Sequence, residues 1–267
     1  MTLSDELLHE LATLVDEAAD HTRAIAMLSA SHPLTLEEAY RIQRASMGLR
    51  KLRGDDVIGM KMGLTSRAKM EQMGVHEPIY GHLTARMRLD DGGTLSLSQH
   101  LHPRCEPEVA FMLGEDLVGP VTPAEALAAV KGVCAAIEII DSRYEDFKFT
   151  LPDVVADNAS SSRFVLGSAI VAPGAVPLEN LGMVMEVTGP AGSGRRLVEL
   201  GSSAAILEHP ARSLAALANL IAPFGEKLPE GAIVLAGGAT AAVALQAGDR
   251  VRLRVDGLGT AAFHVVA

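Results

Sequence analysis

Two glutamates, Glu106 and Glu108, stand on either side of a proline and carry the clearest chemical potential in the chain. The segment 106–113 is mainly apolar after the second glutamate, which predicts a β-strand. Alternate residues of a strand share one face, so the two carboxylates are expected side by side. Adjacent carboxylates repel unless one is protonated or a cation bridges them. On these two residues alone, a solvated acidic strand face is the simpler interpretation.

A third glutamate, Glu138, changes this balance. It lies in segment 135–140, where every other side chain is apolar, and this segment predicts a short buried strand ending at residue 141. An ionised carboxylate in a buried strand is costly unless it is paired or bound to a metal. Three carboxylates with no His or Cys ligand nearby would favour Mg²⁺ or Mn²⁺ over Zn²⁺. An ion pair with Lys or Arg is the alternative explanation.

Three further features could take part in the same chemistry. Lys61 lies among apolar residues and glycines, so it is either paired, functional or extended toward solvent. The polar segment 157–163 offers hydroxyls and backbone N–H groups to a carboxylate ligand, although such segments are more often simple turns. The glycine-rich turn 237–240 lacks the spacing of a dinucleotide-binding loop, but its backbone could approach a ligand closely.

The elements that must position these residues begin with an N-terminal helical arm. Apolar residues at helical spacing predict an amphipathic helix over 4–28. Thr35 and Glu38 form a capping-box pattern, which predicts a second helix from there to about residue 53. We therefore predict a helical arm over residues 1–54 and a β-rich catalytic core over 55–267.

The core itself predicts many strands and few helices. Helices are expected over 122–133, where Thr122 and Glu125 form a second capping box, and over 210–224. Strands are expected over 57–63, 106–113, 135–141, 183–188, 196–200, 233–236, 251–255 and 261–266. Strands and helices do not alternate regularly, which disfavours a doubly wound parallel sheet. The sequence predicts an α+β fold.

Composition excludes several classes of function. The formal net charge of −10 opposes binding to nucleic acid, and no basic run offsets it. No run of about 18 apolar residues predicts a membrane span, and the acidic N-terminus does not resemble a signal peptide. Cys105 and Cys134 are too few for a disulfide scaffold. A cytoplasmic protein without nucleic-acid or membrane partners is expected.

Four motifs together resemble a known family. They are KMGLTS at 61–66, EPE at 106–108, EIIDSR at 138–143 and DNASS at 157–161. In order and spacing they are similar to the hydratase/decarboxylase family of aromatic meta-cleavage pathways, which is related to fumarylacetoacetate hydrolases. The similarity extends from about residue 35 to the C-terminus.

This resemblance implies a fold, a cofactor and a set of site residues. The fold is a fumarylacetoacetase-like mixed β-roll core, and the cofactor is Mg²⁺ or Mn²⁺. The family's active-site lysine corresponds to Lys61. Its three metal ligands correspond to Glu106, Glu108 and Glu138. The residues implied in substrate binding are Leu64, Arg143, Ser160, Ser161 and Thr240.

The family contains two activities, and Ile79 favours one of them. Hydratases of 2-hydroxypenta-2,4-dienoate typically carry an acid where this chain has Ile79, and the segment 69–81 also resembles the decarboxylase branch. The resemblance thus implies metal-dependent decarboxylation of the small dicarboxylate 2-oxohex-3-enedioate to 2-hydroxypenta-2,4-dienoate and CO₂. Arg143 or Arg163 could orient the distal carboxylate. The hydratase is the alternative activity.

The family resemblance leaves two other functions to consider and also implies a partner protein. A C–C bond hydrolase would need a base pair such as His32 with Glu37 or Glu38. A non-catalytic partner subunit would be expected to have lost one of the glutamates or Lys61, and all four are present. The resemblance further implies an oligomer and a complex with the hydratase of the same pathway.

Overall fold

The computed structural model describes residues 3–66, 70–71 and 77–267, and its N-terminal part is helical. Helix α1 (Asp5–Asp20) begins after Ser4, whose hydroxyl accepts a hydrogen bond from the backbone N–H of Leu7. Helix α2 (Leu36–Leu52) begins after Thr35, and the capping box with Glu38 is present. The prediction for the second helix is confirmed.

Helix α1 is shorter than predicted. It ends at Asp20 rather than near residue 28, and Thr22 adopts a left-handed backbone with φ of 51°. Ile25 then pairs through its backbone with Tyr144 of the core. This pairing satisfies backbone groups that a longer helix would have used, so tertiary contacts override the helical pattern after residue 20.

The larger sheet contains eight of the described strands. Numbered in chain order along the whole molecule, they are β1 (Val57–Gly63), β2 (Ile79–Thr84), β3 (Arg88–Leu89), β5 (Arg104–Leu113), β6 (Val130–Ile140), β7 (Ser161–Leu166), β10 (Ile233–Leu235) and β11 (Val243–Ala244). Their order is β2-β1-β10-β5-β6-β7-β3, and β11 also pairs with β5. The β1–β10 and β3–β7 pairs are parallel, and the other pairs are antiparallel.

The second sheet contains five of the described strands in the order β4-β13-β12-β8-β9. They are β4 (Gly93–Ser96), β8 (Gly182–Thr188), β9 (Arg196–Ser202), β12 (Arg250–Val255) and β13 (Gly259–Val266). In β12 every second residue is buried, which is the pattern of a strand with one face on the core. The predicted strands 57–63, 106–113, 183–188, 196–200, 233–236, 251–255 and 261–266 are all confirmed to within two residues at each end.

Two adjoining predicted boundaries in the core are wrong: the end of the helix predicted over 122–133 and the start of the strand predicted over 135–141. Helix α3 (Pro123–Ala128) ends five residues before the predicted position, and β6 already begins at Val130. Residues of β6 pair with β5 as far as Val130 opposite Leu113. Pairing with β5 uses the backbone groups of residues 130–133 that another helical turn would have used.

Two more helices complete the core. Helix α4 is Leu151–Ala156, and helix α5 (Pro210–Ile221) continues as a 3₁₀ turn over Ala222–Phe224, close to its predicted end. Apolar residues of α1 and α2, including Leu11, Val15 and Ile42, belong to the same buried cluster as the strands. The prediction of an α+β fold is confirmed, whereas the division at residue 54 stays a prediction. None of the described helices is long and apolar enough to cross a membrane.

Candidate active site

The three glutamates lie together on one face of the larger sheet. Glu106 and Glu138 are direct cross-strand partners on β5 and β6, and Glu108 follows two residues along β5 on the same face. Their exposed fractions are 8%, 0% and 1% in the order Glu106, Glu108 and Glu138. A solvated acidic strand face is therefore wrong, because this face of the sheet is covered.

Two neighbours hold the Glu138 carboxylate. The ammonium Nζ of Lys61, on β1, lies 3.1 Å from Oε2 of Glu138, and both side chains are almost fully buried. The Ser161 hydroxyl donates a hydrogen bond of 3.2 Å to Oε1. The lysine and the glutamate that the sequence singled out independently thus form one buried ion pair, whose separation would leave an uncompensated charge inside the protein.

Glu108 is held differently. Its Oε2 accepts a hydrogen bond of 2.7 Å from the Gly237 N–H, whereas its Oε1 has no partner among the described residues. Burial, and then the charge of Glu138, raise the pKa of Glu108 well above its ordinary value, while Lys61 opposes the shift. Burial likewise raises the pKa of Glu138. Two buried carboxylates, Glu108 and Glu138, therefore repel each other beside Lys61, and a bound cation would relieve that repulsion.

The glycine-rich turn brings its backbone against these carboxylates. The N–H groups of Ala236 and Ala239 donate to the carbonyl oxygens of Val109 and Pro107 on β5. A Cβ on Gly238 would lie 1.8 Å from Oε2 of Glu106, so only glycine leaves room for that side chain. The turn after β10 thus forms a close backbone wall at the acidic cluster, as the sequence suggested.

The donor set fits a hard divalent cation, although the side chains do not form a ready-made cage. Among residues 3–66, 70–71 and 77–267, no group of three or more His, Cys, Asp or Glu side chains is arranged to hold a metal as it stands. Here Glu138 is drawn to Lys61 instead. The fit rests on the orphaned, fully buried Oε1 of Glu108 and on the all-carboxylate chemistry of the set, which suits Mg²⁺ or Mn²⁺.

The segment 157–161 is a strained, buried loop rather than a surface turn. Asn158, Ala159 and Ser160 all have positive φ angles, between 51° and 56°. The Asn158 side chain accepts a hydrogen bond from the His82 N–H at 2.7 Å and donates one to the His82 carbonyl at 2.9 Å. Consecutive left-handed residues without glycine persist only where the surroundings enforce them, and they concentrate at functional sites.

Arg143 enforces this loop from beneath. It is buried, its backbone N–H donates to Asp157, and its guanidinium donates to the Asp157 carboxylate and to carbonyl oxygens of Asp141, Asp157 and Ser161. Four hydrogen bonds to the protein therefore engage all three of its guanidinium nitrogens. Burial nevertheless raises the pKa of Asp157 to about 6, with Arg143 opposing the shift. The position of Arg143 supports a role in holding the loop, not the predicted substrate contact.

The two serines of the loop differ in their hydrogen bonds, and Leu64 and Thr240 differ in their position relative to the cavity beside Lys61. The hydroxyl of Ser160 is buried without a partner among the described residues, whereas that of Ser161 is bonded to Glu138. Leu64 lines the cavity beside Lys61 and has a positive φ of 55°. Thr240 is outside that lining, and its hydroxyl donates to the carbonyl of Ala241. The substrate-binding roles of these residues stay predictions.

A cavity of about 340 Å³ opens beside this cluster. Its described lining combines a charged end with a largely apolar wall. The lining residues are Lys61, Met62, Gly63, Leu64, Ile79, Arg104, Glu106, Ile140, Phe147, Phe149, Val154, Ala159, Ser160, Gly238, Ala241 and Ala242. Ile79, the residue that separated the two activities, is buried in this wall. Arg143 and Arg163 instead line a different cavity, of about 320 Å³.

Arg104 and Phe147 were not predicted from the sequence as site residues. Arg104 precedes Glu106 by two residues on β5, and its guanidinium lies 4.4 Å from the centre of the Phe147 ring. The alternation that paired Glu106 with Glu108 also places Arg104 on the same face. That signal was available in the sequence. No comparable pattern marked Phe147, because it lies in a short irregular segment between β6 and α4.

Comparison with known proteins identifies the family. The Fumarylacetoacetate (FAA) hydrolase C-terminal family matches residues 62–266. The chain belongs to this family.

Full-length relatives are similar to the chain at both sequence and structure level. A 4-oxalocrotonate decarboxylase from Pseudomonas sp is 51% identical over 253 residues, which are 95% of this chain and 96% of the relative. A 2-hydroxyhexa-2,4-dienoate hydratase from Comamonas testosteroni is 41% identical over 249 residues, which are 91% and 92%. The structure of 4-oxalocrotonate decarboxylase from Pseudomonas putida G7, complexed with magnesium and adipate, superposes with a TM-score of 0.94 at 40% identity and covers 99% of both chains.

These matches confirm the family and the fumarylacetoacetase-like fold that the motifs predicted. They also confirm the similarity to the decarboxylase branch. In the segment 69–81, which carried part of that argument, Lys69 and residues 72–76 lie outside the described residues. The predicted roles of Lys61, the three glutamates and the substrate-binding residues stay predictions.

Proposed function

We propose that this chain is a divalent-metal-dependent decarboxylase that converts 2-oxohex-3-enedioate to 2-hydroxypenta-2,4-dienoate and CO₂. Its similarity to 4-oxalocrotonate decarboxylases, one of them solved with magnesium and the six-carbon dicarboxylate adipate, supports the activity and the cofactor. The composition of the cavity lining supports the decarboxylase over the hydratase. Among the described lining residues the one acid is Glu106, at the charged end, and Ile79 lies where a hydratase would keep an acid.

In this proposal Glu106, Glu108 and Glu138 hold Mg²⁺ or Mn²⁺, with the orphaned Oε1 of Glu108 as the readiest ligand. When bound, the ion supplies Lewis-acid polarisation at the C1 carboxylate and C2 oxygen of the substrate. The reaction then breaks the C5–C6 bond, which makes the enzyme a carbon–carbon lyase. The electron pair left at C5 delocalises through C3=C4 to the C2 oxygen, and a proton must reach that oxygen.

The protein's own groups bind the substrate and control the proton. The unpartnered hydroxyl of Ser160 donates to the substrate from the cavity wall. Lys61, fixed by Glu138 at 3.1 Å, places its ammonium beside the C2 oxygen, where it stabilises the developing negative charge and can give the proton. The apolar wall of Met62, Leu64 and Ile79 excludes water from the chain of the substrate. A dry wall also keeps water away from the dienolate that forms as CO₂ leaves.

The hydratase is the second candidate, since hydratases are also relatives at about 40% identity. The test is a pair of substrate assays on the purified protein. We expect CO₂ release from 2-oxohex-3-enedioate that stops with EDTA and recovers with Mg²⁺. Water addition to 2-hydroxypenta-2,4-dienoate without CO₂ release would replace the proposal by the hydratase. CO₂ release indifferent to chelation would remove the metal from it.

The positions of Glu38 and His32 argue against the C–C bond hydrolase, which would need them as a catalytic base pair. The carboxylate of Glu38 accepts hydrogen bonds from Thr35 and from the Leu3 N–H, and so it serves the start of α2. Neither Glu38 nor His32 is among the cavity-lining residues. The predicted oligomer, the complex with the pathway's hydratase and the cytoplasmic location stay predictions. Co-elution of the purified protein with that hydratase would test the complex.

A further inference from the structure

Arg104 is a basic residue of the cavity with no assigned role. It begins β5, two residues before Glu106, so the two side chains share one face of the strand. Its cross-strand partner is Ile140, which lines the same cavity. The guanidinium and the acidic cluster therefore stand at different points along one wall of the site.

The guanidinium of Arg104 keeps its hydrogen-bond donors available. In the part of the chain that the structure describes, it forms no ion pair or hydrogen bond, and its contact is the face of the Phe147 ring at 4.4 Å. Lys61 is the other basic residue of the described lining, and it is already paired with Glu138. A cation–π contact holds an arginine in place but leaves its planar edge free to bind a carboxylate in a bidentate manner.

The spacing along β5 matches the length of the proposed substrate. Residues two apart on a strand are about 6.6–6.8 Å apart. Five carbon–carbon bonds of about 1.5 Å in an extended zigzag separate the carboxyl carbons of a six-carbon dicarboxylate by roughly 6 Å. A substrate whose C1 end lies at Glu106 thus extends its other end toward Arg104.

We propose that Arg104 binds the distal, C6 carboxylate of the dicarboxylate substrate and so selects dicarboxylates over monoacids. This inference rests on the proposed function. It replaces the earlier candidates Arg143 and Arg163, both of which line the other cavity. Phe147 is a positioning residue, because it touches the guanidinium rather than the substrate.

The contact has a defined kinetic consequence. Arg104 contacts the C6 carboxylate and not the C2 oxygen that gains charge, so we expect it to hold the bound substrate and the transition state about equally. Such uniform binding lowers KM and leaves kcat nearly unchanged. Arg104 should therefore contribute to selection, while Lys61 contributes to turnover.

The test uses two unreactive ligands that differ only in the distal group. 2-Oxohexanedioate has the C6 carboxylate, and 2-oxohexanoate has a methyl group there. Calorimetry with Mg²⁺ present should show that the wild-type protein binds the dicarboxylate about 10- to 100-fold more tightly, the range of a charge-assisted hydrogen bond. Arg104→Met removes the guanidinium but keeps an unbranched apolar side chain, and it should reduce this preference to about threefold or less, with unchanged affinity for 2-oxohexanoate.

The matched control is Arg163→Met, which removes an arginine from the neighbouring cavity and should leave the preference intact. With 2-oxohex-3-enedioate, Arg104→Met should raise KM 10- to 100-fold and change kcat by less than about threefold. A preserved ligand preference in Arg104→Met overturns the proposal, as does equal loss of affinity for both ligands. If the wild-type protein shows the Arg104-dependent preference but releases no CO₂, the proposed function fails and this assignment stands.

Discussion

Replacing Gly238 by alanine should change the candidate active site while leaving the fold intact. An ideal Cβ at this position would lie 1.8 Å from Oε2 of Glu106, and real Cβ contacts are essentially never shorter than 3.0 Å. One of the two groups must therefore move by about 1.2 Å. The clashing atom is the far end of a flexible side chain, so the carboxylate can turn away without disturbing the strands.

The expected result of Gly238→Ala is a folded protein with a misplaced carboxylate. A displacement of about 1 Å at a reacting centre costs about 100-fold in rate, equivalent to about 2.7 kcal/mol of transition-state stabilisation. We expect weaker Mg²⁺ binding by calorimetry and a loss of about this size in kcat/KM for CO₂ release. The thermal unfolding midpoint without metal should change by no more than a few degrees.

Two comparisons make the result interpretable. Gly174→Ala is the matched control, because a Cβ there meets no atom within 4 Å and it should leave both measurements unchanged. Gly237→Ala should instead damage the fold, because Gly237 has φ of 112° and its added Cβ would meet the Thr65 side chain at 2.2 Å. Mg²⁺ affinity and kcat/KM within threefold of wild type in Gly238→Ala would show that the geometry assigned to Glu106 is incorrect.

Three other changes test neighbouring parts of the site. Ser160→Ala removes an unpartnered hydroxyl, so the free energy of unfolding should hold while KM rises about tenfold. Ser161→Ala removes a hydrogen-bond donor to Glu138 and should lower the free energy of unfolding as well. Equal effects of the two variants would contradict the different roles assigned to these serines. Glu108→Gln relieves carboxylate repulsion, so the metal-free variant should unfold at the same or a higher temperature than the wild type. The stabilisation by added Mg²⁺ should vanish in this variant. Stabilisation by Mg²⁺ that persists argues against Glu108 as a metal ligand. Burial lowers the pKa of His82 from 6.5 to about 4, so the folded protein binds this proton less readily than the unfolded chain. Its stabilising contribution is thus complete above pH 6.5 and is lost as the pH falls toward 4, by up to about 3 kcal/mol. Denaturant unfolding at pH 7.5 and 5 should show this loss, and His82→Gln should reduce it; an identical pH slope in the variant excludes His82 as the source.

The residues that sequence patterns located best are those whose chemistry conflicts with their surroundings. Glu138 and Lys61 were noticed because each is a charge among apolar neighbours, and the structure pairs them at 3.1 Å. Local patterns of this kind survive folding, because a buried charge must find a partner wherever the chain places it. The capping box at Thr35 succeeded for a similar reason, since its hydrogen bonds join residues three positions apart.

What the sequence could not supply was the geometry that depends on distant segments. Arg143 stands in a family motif, but its partners show that it holds the 157–161 loop and does not face the cavity. The end of α3 was missed because pairing of β6 with β5 decides it, and β5 ends ten residues before α3 begins. That the polar 157–161 segment is buried was also hidden, because the enclosing groups include His82, which is far away in sequence.

Under the proposed function, the lining of the cavity explains how a common metal centre would serve two reactions. The acidic cluster and Lys61 would polarise only the 2-oxo acid group, which decarboxylase and hydratase substrates share. In the proposed function two other residues of the lining choose the reaction: Ile79, which lies beside Lys61, withholds an acid, and Arg104 provides a site for a second carboxylate. An apolar residue at 79 would leave water unactivated, and a cation at 104 would bring in the group that can leave as CO₂. Neither residue is sufficient alone, since a monoacid has no carboxylate to lose and a nearby acid would compete for the bound dienolate. The two positions should therefore change together when the activity changes, while the glutamates remain constant.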